Sequence, residues 1–157
     1  MKKLLLTLFI LVGTLASAQS VKVTGEVATP FTLDKAEFQK FKLVSVVYKD
    51  KSGKQHTYSG VALTDILKKA GVTLGAALRG ENLTKYVMAE AADGYKVVFA
   101  LVELDQEFTD KQIILADSVD GNALPATEGH FRIIVPDEKK AARSIRQVTA
   151  LKVAFAK

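Results

Sequence analysis

Residues Gly129 to Val153 read GHFRIIVPDEKKAARSIRQVTALKV. Arg132 opens an apolar run, Ile133 to Val135, which Pro136 stops. A second run begins at Thr149, and its Leu151, Val153 and Phe155 share one face of a strand. A short loop joins the two runs and gathers Lys139, Lys140, Arg143 and Arg146. The stretch therefore predicts two strands and a cationic connection between them.

The same pattern continues upstream. Val21, Val23 and Val27 alternate with Lys22, Thr24 and Glu26, as in a half-buried strand. Asp34 with Glu37 three residues on predicts a capped short helix reaching about Phe41. The valine-rich segment from Lys42 to Lys49 turns through Asp50-Lys51-Ser52-Gly53 and returns over His56 to Ser59 as a hairpin. Leu63, Ile66, Leu67 and Ala70 form one helical face, with Lys68 and Lys69 in its last turn and Gly71 as its stop. Gly75 to Asn82 reads as loop, and Glu103 to Lys111 as a short helix or loop. Tyr86–Ala91 and Tyr95–Leu101 are strands joined at Asp93-Gly94, and Ile113–Val119 is another, closed by Asp120-Gly121. Strands joined by hairpin-like connections, with two or three short helices, predict an α+β fold. Its expected core is a mixed, largely antiparallel sheet, barrel-like, without βαβ units.

The chain has 157 residues and a net charge of +5. Lys2 and Lys3, the apolar run Leu4 to Leu15, and Ala16-Ser17-Ala18 read as a signal peptide over residues 1–18. That run is too short to span a bilayer, which takes roughly 20 residues. Cleavage after Ala18 would leave one domain, residues 19–157, in the periplasm or secreted, with no membrane-spanning segment. Loss of Lys2 and Lys3 lowers the charge from +5 to +3, so the composition calls for no nucleic-acid partner. The chain has no cysteine, which excludes disulfides, thiolate metal sites and cysteine nucleophiles. Two histidines, His56 and His130, lie far apart, and no metal site is expected. No nucleophile-elbow, zincin, P-loop or dinucleotide motif occurs, and no carboxylate spacing singles out an acid/base pair, so no catalytic residue is assigned.

The candidate binding residues are Arg132, Arg143, Ser144 and Arg146, with His130, Asp93 and Tyr95 beside them. Arg143 and Arg146 are three apart with Ser144 between, so two guanidiniums and a hydroxyl can converge on one oxyanion. Arg132 and His130 would approach from the preceding strand, and Asp93 and Tyr95 from a turn. The plainer alternative is a solvated loop in which Asp137 and Glu138 pair with the cations, an ordinary turn at Asp93-Gly94, and surface histidines.

In order along the chain, Val23-Thr24-Gly25-Glu26-Val27 with Pro30, Tyr58 to Leu67, Ala70-Gly71-Val72, Asp93-Gly94-Tyr95, Asp120 to Pro125, Gly129 to Pro136 and Arg143 to Val148 resemble the sulfite oxidase-type molybdopterin-binding domain family. The resemblance runs from Val23 to Val153. It implies molybdopterin as cofactor, with the basic-Ser-x-basic segment Arg143, Ser144 and Arg146 near its phosphate and pterin. The chain also departs from the family. The region that carries the metal-binding cysteine in catalytic members reads Val44 to Asp50 here. Glu128, Phe131 and Gln147 replace a histidine, a proline and a tryptophan. Without a thiolate, molybdenum ligation loses its soft donor. The leading expectation is an exported, non-catalytic domain that binds a small anionic, pterin- or phosphate-like ligand. Alternatives are a molybdopterin-dependent oxidoreductase without a sulfur ligand, and an envelope protein-interaction module whose partner is unknown.

Overall fold

The alternation read at the N-terminus is built as a strand: in β1 (Val21–Gly25) the valines point inward, while Lys22 and Thr24 face solvent. The computed structural model describes residues 20–156, so the leader read over Lys2 to Ala18 lies outside the described residues. After β1 come β2 (Phe31–Leu33), α1 (Lys35–Phe38), β3 (Val44–Lys49), β4 (Gln55–Ala62) and α2 (Leu63–Lys69). β5 (Lys85–Ala91), β6 (Lys96–Ala100), β7 (Ile114–Val119), β8 (Asn122–Ala123), β9 (Arg132–Ile134) and β10 (Val148–Phe155) complete the order. Among the described residues no helix is long and apolar enough to cross a membrane.

The strands form two sheets. One runs β2-β1-β10-β5-β6, and its β1–β10 pairing is parallel while its other pairings are antiparallel. The other runs β3-β4-β7-β8, with β9 also paired to β7, antiparallel throughout. The fold is α+β with mixed, mostly antiparallel sheets, as expected, but both sheets stay open and no barrel closes.

The apolar runs without alternation have a physical cause. β7 and β9 are covered on both faces, so consecutive residues are buried in opposite directions. Leu115 and Ile133 enter the large core with Val23, Val87, Phe99, Leu151 and α2. Ile114, Ala116 and Ile134 enter a smaller core with Val46, Tyr48 and Tyr58. The Phe38 and Phe131 rings, 5.1 Å apart, close the large core beneath α1.

Helix ends follow the sequence. Asp34 accepts a hydrogen bond from the Glu37 backbone N–H at 2.8 Å and starts α1, which ends at Phe38, earlier than its pattern suggested. At the end of α2, Gly71 has φ 71°, and the Gly71 and Val72 N–H groups reach back to the carbonyls of Lys68 and Leu67. The segment Gly75 to Thr84 is two 3-10 turns. The polar segment near Glu103 is likewise a 3-10 turn, Leu101–Glu103, followed by loop.

Two predictions follow from this packing. A Cβ at Gly60 would lie 2.1 Å from the Leu115 carbonyl oxygen, at a β-bulge where β4 crosses β7. Gly60→Ala should cost about 3 kcal/mol, at the upper end of overpacking, read from urea unfolding midpoints. Hydrogen bonds from Lys40 and then Lys69 hold the Glu37 carboxyl down at about 2, against an ordinary 4.5, and so tie α1 to α2. Its folded value is depressed, so its stabilisation is complete above pH 4.5 and is lost as pH falls toward 2. Glu37→Gln should flatten the acid limb of a thermal-stability profile in that window.

Candidate functional site: a cationic cleft

Three loops meet beside the smaller core. They are the β3–β4 turn from Tyr48 to Lys51, the β5–β6 turn around Asp93, and the connection from Glu138 to Gln147 that precedes β10. Backbone hydrogen bonds fasten them. Ala92 N–H donates to the Gln147 carbonyl at 2.9 Å, and Gln147 N–H donates to the Glu128 carbonyl at 2.8 Å. Gln147 adopts φ 51°, and Gly129 packs against it so closely that a Cβ would sit 2.9 Å from the Gln147 Cα. Between the loops lies a cleft of about 870 Å³.

The cleft's lining is cationic. Lys49, Lys51, Lys139, Lys140, Arg132 and Arg146 face three carboxylates, Asp50, Asp93 and Glu138. Each carboxylate is engaged locally. Asp50 accepts from the Ser52 and Lys54 N–H groups, Asp93 from the Tyr95 N–H, and Glu138 from Arg143. The lysine ion pairs among the described residues involve Lys40, Lys68, Lys69 and Lys96, and none of the four cleft lysines is among them.

Arg132 is the floor. It is only 4% exposed, and its guanidinium lies 5.4 Å and 5.2 Å from the ring centres of Tyr48 and Tyr58. Its Nη1 donates to the Tyr58 hydroxyl and to Glu128 Oε1, both at 2.7 Å. Its Nε is buried with no partner among the described residues. Burial pushes the Tyr58 phenol above its ordinary value; Arg132 opposes that and Glu128 reinforces it. The phenol therefore keeps its proton near neutrality. It can donate toward Glu128 Oε2, 3.5 Å away, while accepting from Arg132.

The sequence candidates separate in space. Arg132, Ser144, Arg146, Asp93 and Tyr95 line the cleft, but in different roles. Ser144 is buried and its Oγ accepts from the Val135 N–H at 3.0 Å, fixing the connection to β9. Tyr95 donates its hydroxyl to the Ala142 carbonyl at 3.1 Å and buttresses one wall, and the Asp93 turn is an ordinary Asx turn. Arg146 is 59% exposed, with Glu128 Oε1 3.9 Å from its Nε.

Two candidates do not join them. Arg143 does not line the cleft: it stacks over Phe99 and pairs with Glu103 and Glu138. Burial works against its charge, yet the hydrogen bonds it donates to Glu138 and Glu103 outweigh that and hold the guanidinium above its ordinary value. The expected convergence of Arg143 and Arg146 on one oxyanion is thus replaced by a structural Arg143 and a cleft-facing Arg146. His130 is exposed and lines a separate cleft of about 440 Å³ with Phe38, Leu43 and Phe131.

Tyr48, Tyr58 and the β3–β4 lysines were not among the sequence candidates. The hairpin register pairs Tyr58 with Val46 and His56 with Tyr48, so both tyrosines share one face with Val46. That register was the available signal.

A molybdopterin-type group can be tested against these residues. Its anionic portion would meet the lysines and Arg146. Its metal would meet no protein thiolate, because the chain has no cysteine; the stretch Val44 to Asp50, to which the resemblance points for one, contains Ser45 and Tyr48. Tyr48 packs on Arg132 at the cleft, while the Ser45 hydroxyl bonds to that of Ser59. Among the described residues no group of three or more metal-ligating side chains occurs. The donor set fits an anion and does not fit a metal centre.

The comparisons with known proteins agree with this architecture. The family model described as the oxidoreductase molybdopterin binding domain matches residues 13–156. No curated protein matches the chain. The crystal structure of the sulfane dehydrogenase SoxCD from Paracoccus pantotrophus is similar, with a TM-score of 0.69 at 18% identity over 87% of this chain. The match covers 38% of that chain, so the two share a fold over well under half of the larger protein. The chain belongs to the oxidoreductase molybdopterin-binding domain family.

Proposed function

We propose that this protein is an exported, non-catalytic member of its family that holds a small anionic, pterin- or phosphate-like ligand in the cationic cleft. The observation that carries the proposal is the pairing pattern. The cleft's carboxylates are committed to local partners, whereas Lys49, Lys51, Lys139 and Lys140 take no part in the lysine ion pairs of the described residues. Ammonium and guanidinium groups around a concave surface suit an oxyanion, which gains charge-assisted hydrogen bonds there. Non-catalytic binding is supported by the lack of cysteine in the chain and, among the described residues, of any metal-ligand cluster. Export is supported by the basic, apolar and small-residue succession from Lys2 to Ala18.

Protein purified from its own host, analysed by mass spectrometry and for metals, decides between binding and redox chemistry. A bound organic anion without stoichiometric molybdenum or tungsten is expected; either metal near one per chain would overturn the non-catalytic assignment.

Site variants separate the cleft lysines from the structural Arg143. The double variant Lys139→Ala/Lys140→Ala should weaken binding of pyrophosphate about tenfold at low salt, since two unit charges at the cleft each contribute on the order of 1 kcal/mol or less. Arg143→Ala should leave that affinity within about twofold while lowering stability by about 1 kcal/mol, through loss of its pairs with Glu103 and Glu138. Calorimetric titration and denaturant unfolding read the two effects independently.

A further inference from the structure

The cleft's deepest cation is already occupied by the protein itself. Glu128 is 12% exposed, places Oε1 2.7 Å from Arg132 Nη1 and 3.9 Å from Arg146 Nε, and so touches both cleft arginines. We propose that Glu128 is a built-in competitor of the cleft's ligand: its carboxylate occupies Arg132, and full engagement of an anion exchanges that carboxylate for a ligand oxygen. This deepens the anion-binding proposal and rests on it.

Three observations carry the exchange. First, the Arg132 bonds are incomplete. Both leave from Nη1, and Nε is buried without a partner, so Glu128 does not use the guanidinium's two-pronged edge. A guanidinium satisfies an oxyanion best through two parallel N–H bonds, and one strong contact beside an orphaned donor is a compromise that a better-placed anion improves. Second, Glu128 is carried on a 3-10 turn, Ala126–Glu128, between Pro125 and Gly129. The turn's backbone is held by the Gln147 N–H on the Glu128 carbonyl, so withdrawal needs only rotation of the Glu128 side chain and leaves that bond and the β7–β9 pairing intact. Third, Arg132 cannot simply be left bare. A buried guanidinium without a counter-anion costs several kcal/mol, so the empty cleft needs Glu128 where the filled cleft does not.

The experiment titrates sulfate into the full chain and into Glu128→Gln at constant ionic strength, following Tm and NMR shifts, the Arg132 Nε–H signal included. Glu128→Gln should bind sulfate about tenfold or more tightly than wild type, the factor one charge-assisted hydrogen bond commands. Its Tm, lowered by the uncompensated Arg132, should rise with sulfate more than the wild-type Tm does. Glu138→Gln removes an equal charge from the lining without touching Arg132, and should change sulfate affinity less than about threefold. Glu128→Asp keeps the charge but shortens the reach; it should fall between wild type and Glu128→Gln, and it decides the matter if the glutamine variant does not fold. Equal sulfate affinity in wild type and the Glu128 variants overturns the competitor role alone. Equal gains from Glu128→Gln and Glu138→Gln overturn it too, in favour of a diffuse charge effect. No sulfate binding by any form removes the anion-binding proposal along with it.

Discussion

A guanidinium taken out of water is the constraint around which this end of the molecule is arranged. Arg132 begins β9, a strand buried on both faces, so its side chain cannot escape to solvent without unpairing β9 from β7. Removing such a charge from water costs several kcal/mol unless it is paired and hydrogen-bonded. The protein answers with two aromatic faces, a phenolic oxygen and one carboxylate. Each of these comes from a different place in the chain: Tyr48 from β3, Tyr58 from β4, Glu128 from the turn before β9. The smaller core is therefore a polar anchor wrapped in an apolar one, and the cleft is the opening beside it.

That arrangement explains why two arginines three residues apart act differently. Arg143 ends a 3-10 turn and swings toward Phe99 and Glu103 near the end of β6, pinning the connection to the larger sheet. Ser144 and Ile145 then turn inward, and the Ile133 N–H takes the Ile145 carbonyl while the Val135 N–H takes the Ser144 oxygen. The chain re-emerges at Arg146 on the cleft side. A connection that dips into the core for two residues reverses the direction of the side chains on either side of it. Proximity in sequence gave no protection against that reversal.

Local features of the fold were legible wherever physics acts over a few residues. Asp34 caps α1, Gly71 ends α2, and the alternation of Val21 and Val23 sets the inward face of β1. The apolar runs of β7 and β9 were legible as strands, but not that two separate cores would share their two faces. The cationic connection was visible too, because charge needs no fold to be counted. What could not be read was pairing at a distance. Of the two local carboxylates expected to pair with the loop cations, Glu138 does so, with Arg143, but the second partner of Arg143, Glu103, lies forty residues away. Strand alternation would have put His130 and Arg132, two residues apart, on one face; β9 starts only at Arg132, and His130, before it, opens onto the other cleft together with Phe131.

Glu128 shows how one residue can mean different things on the line and in space. As sequence, a carboxylate beside a cationic cluster argues against an anion, because like charges repel at any dielectric. In the folded chain the same carboxylate is the partner that lets Arg132 stay charged in the interior at all. Its effect on an incoming ligand then depends on whether it stays or moves. If it stays, the outer lysines and Arg146 meet the ligand and Arg132 remains structural. If it moves, the deepest and least screened cation in the cleft becomes available, and screening is what limits the rim lysines. A scaffold shared with the molybdopterin-binding domain family has, in this chain, no cysteine thiolate. What it retains is a buried positive charge and an internal anion to balance it, and the strength with which the cleft can grip anything is set by the competition between that anion and the guest.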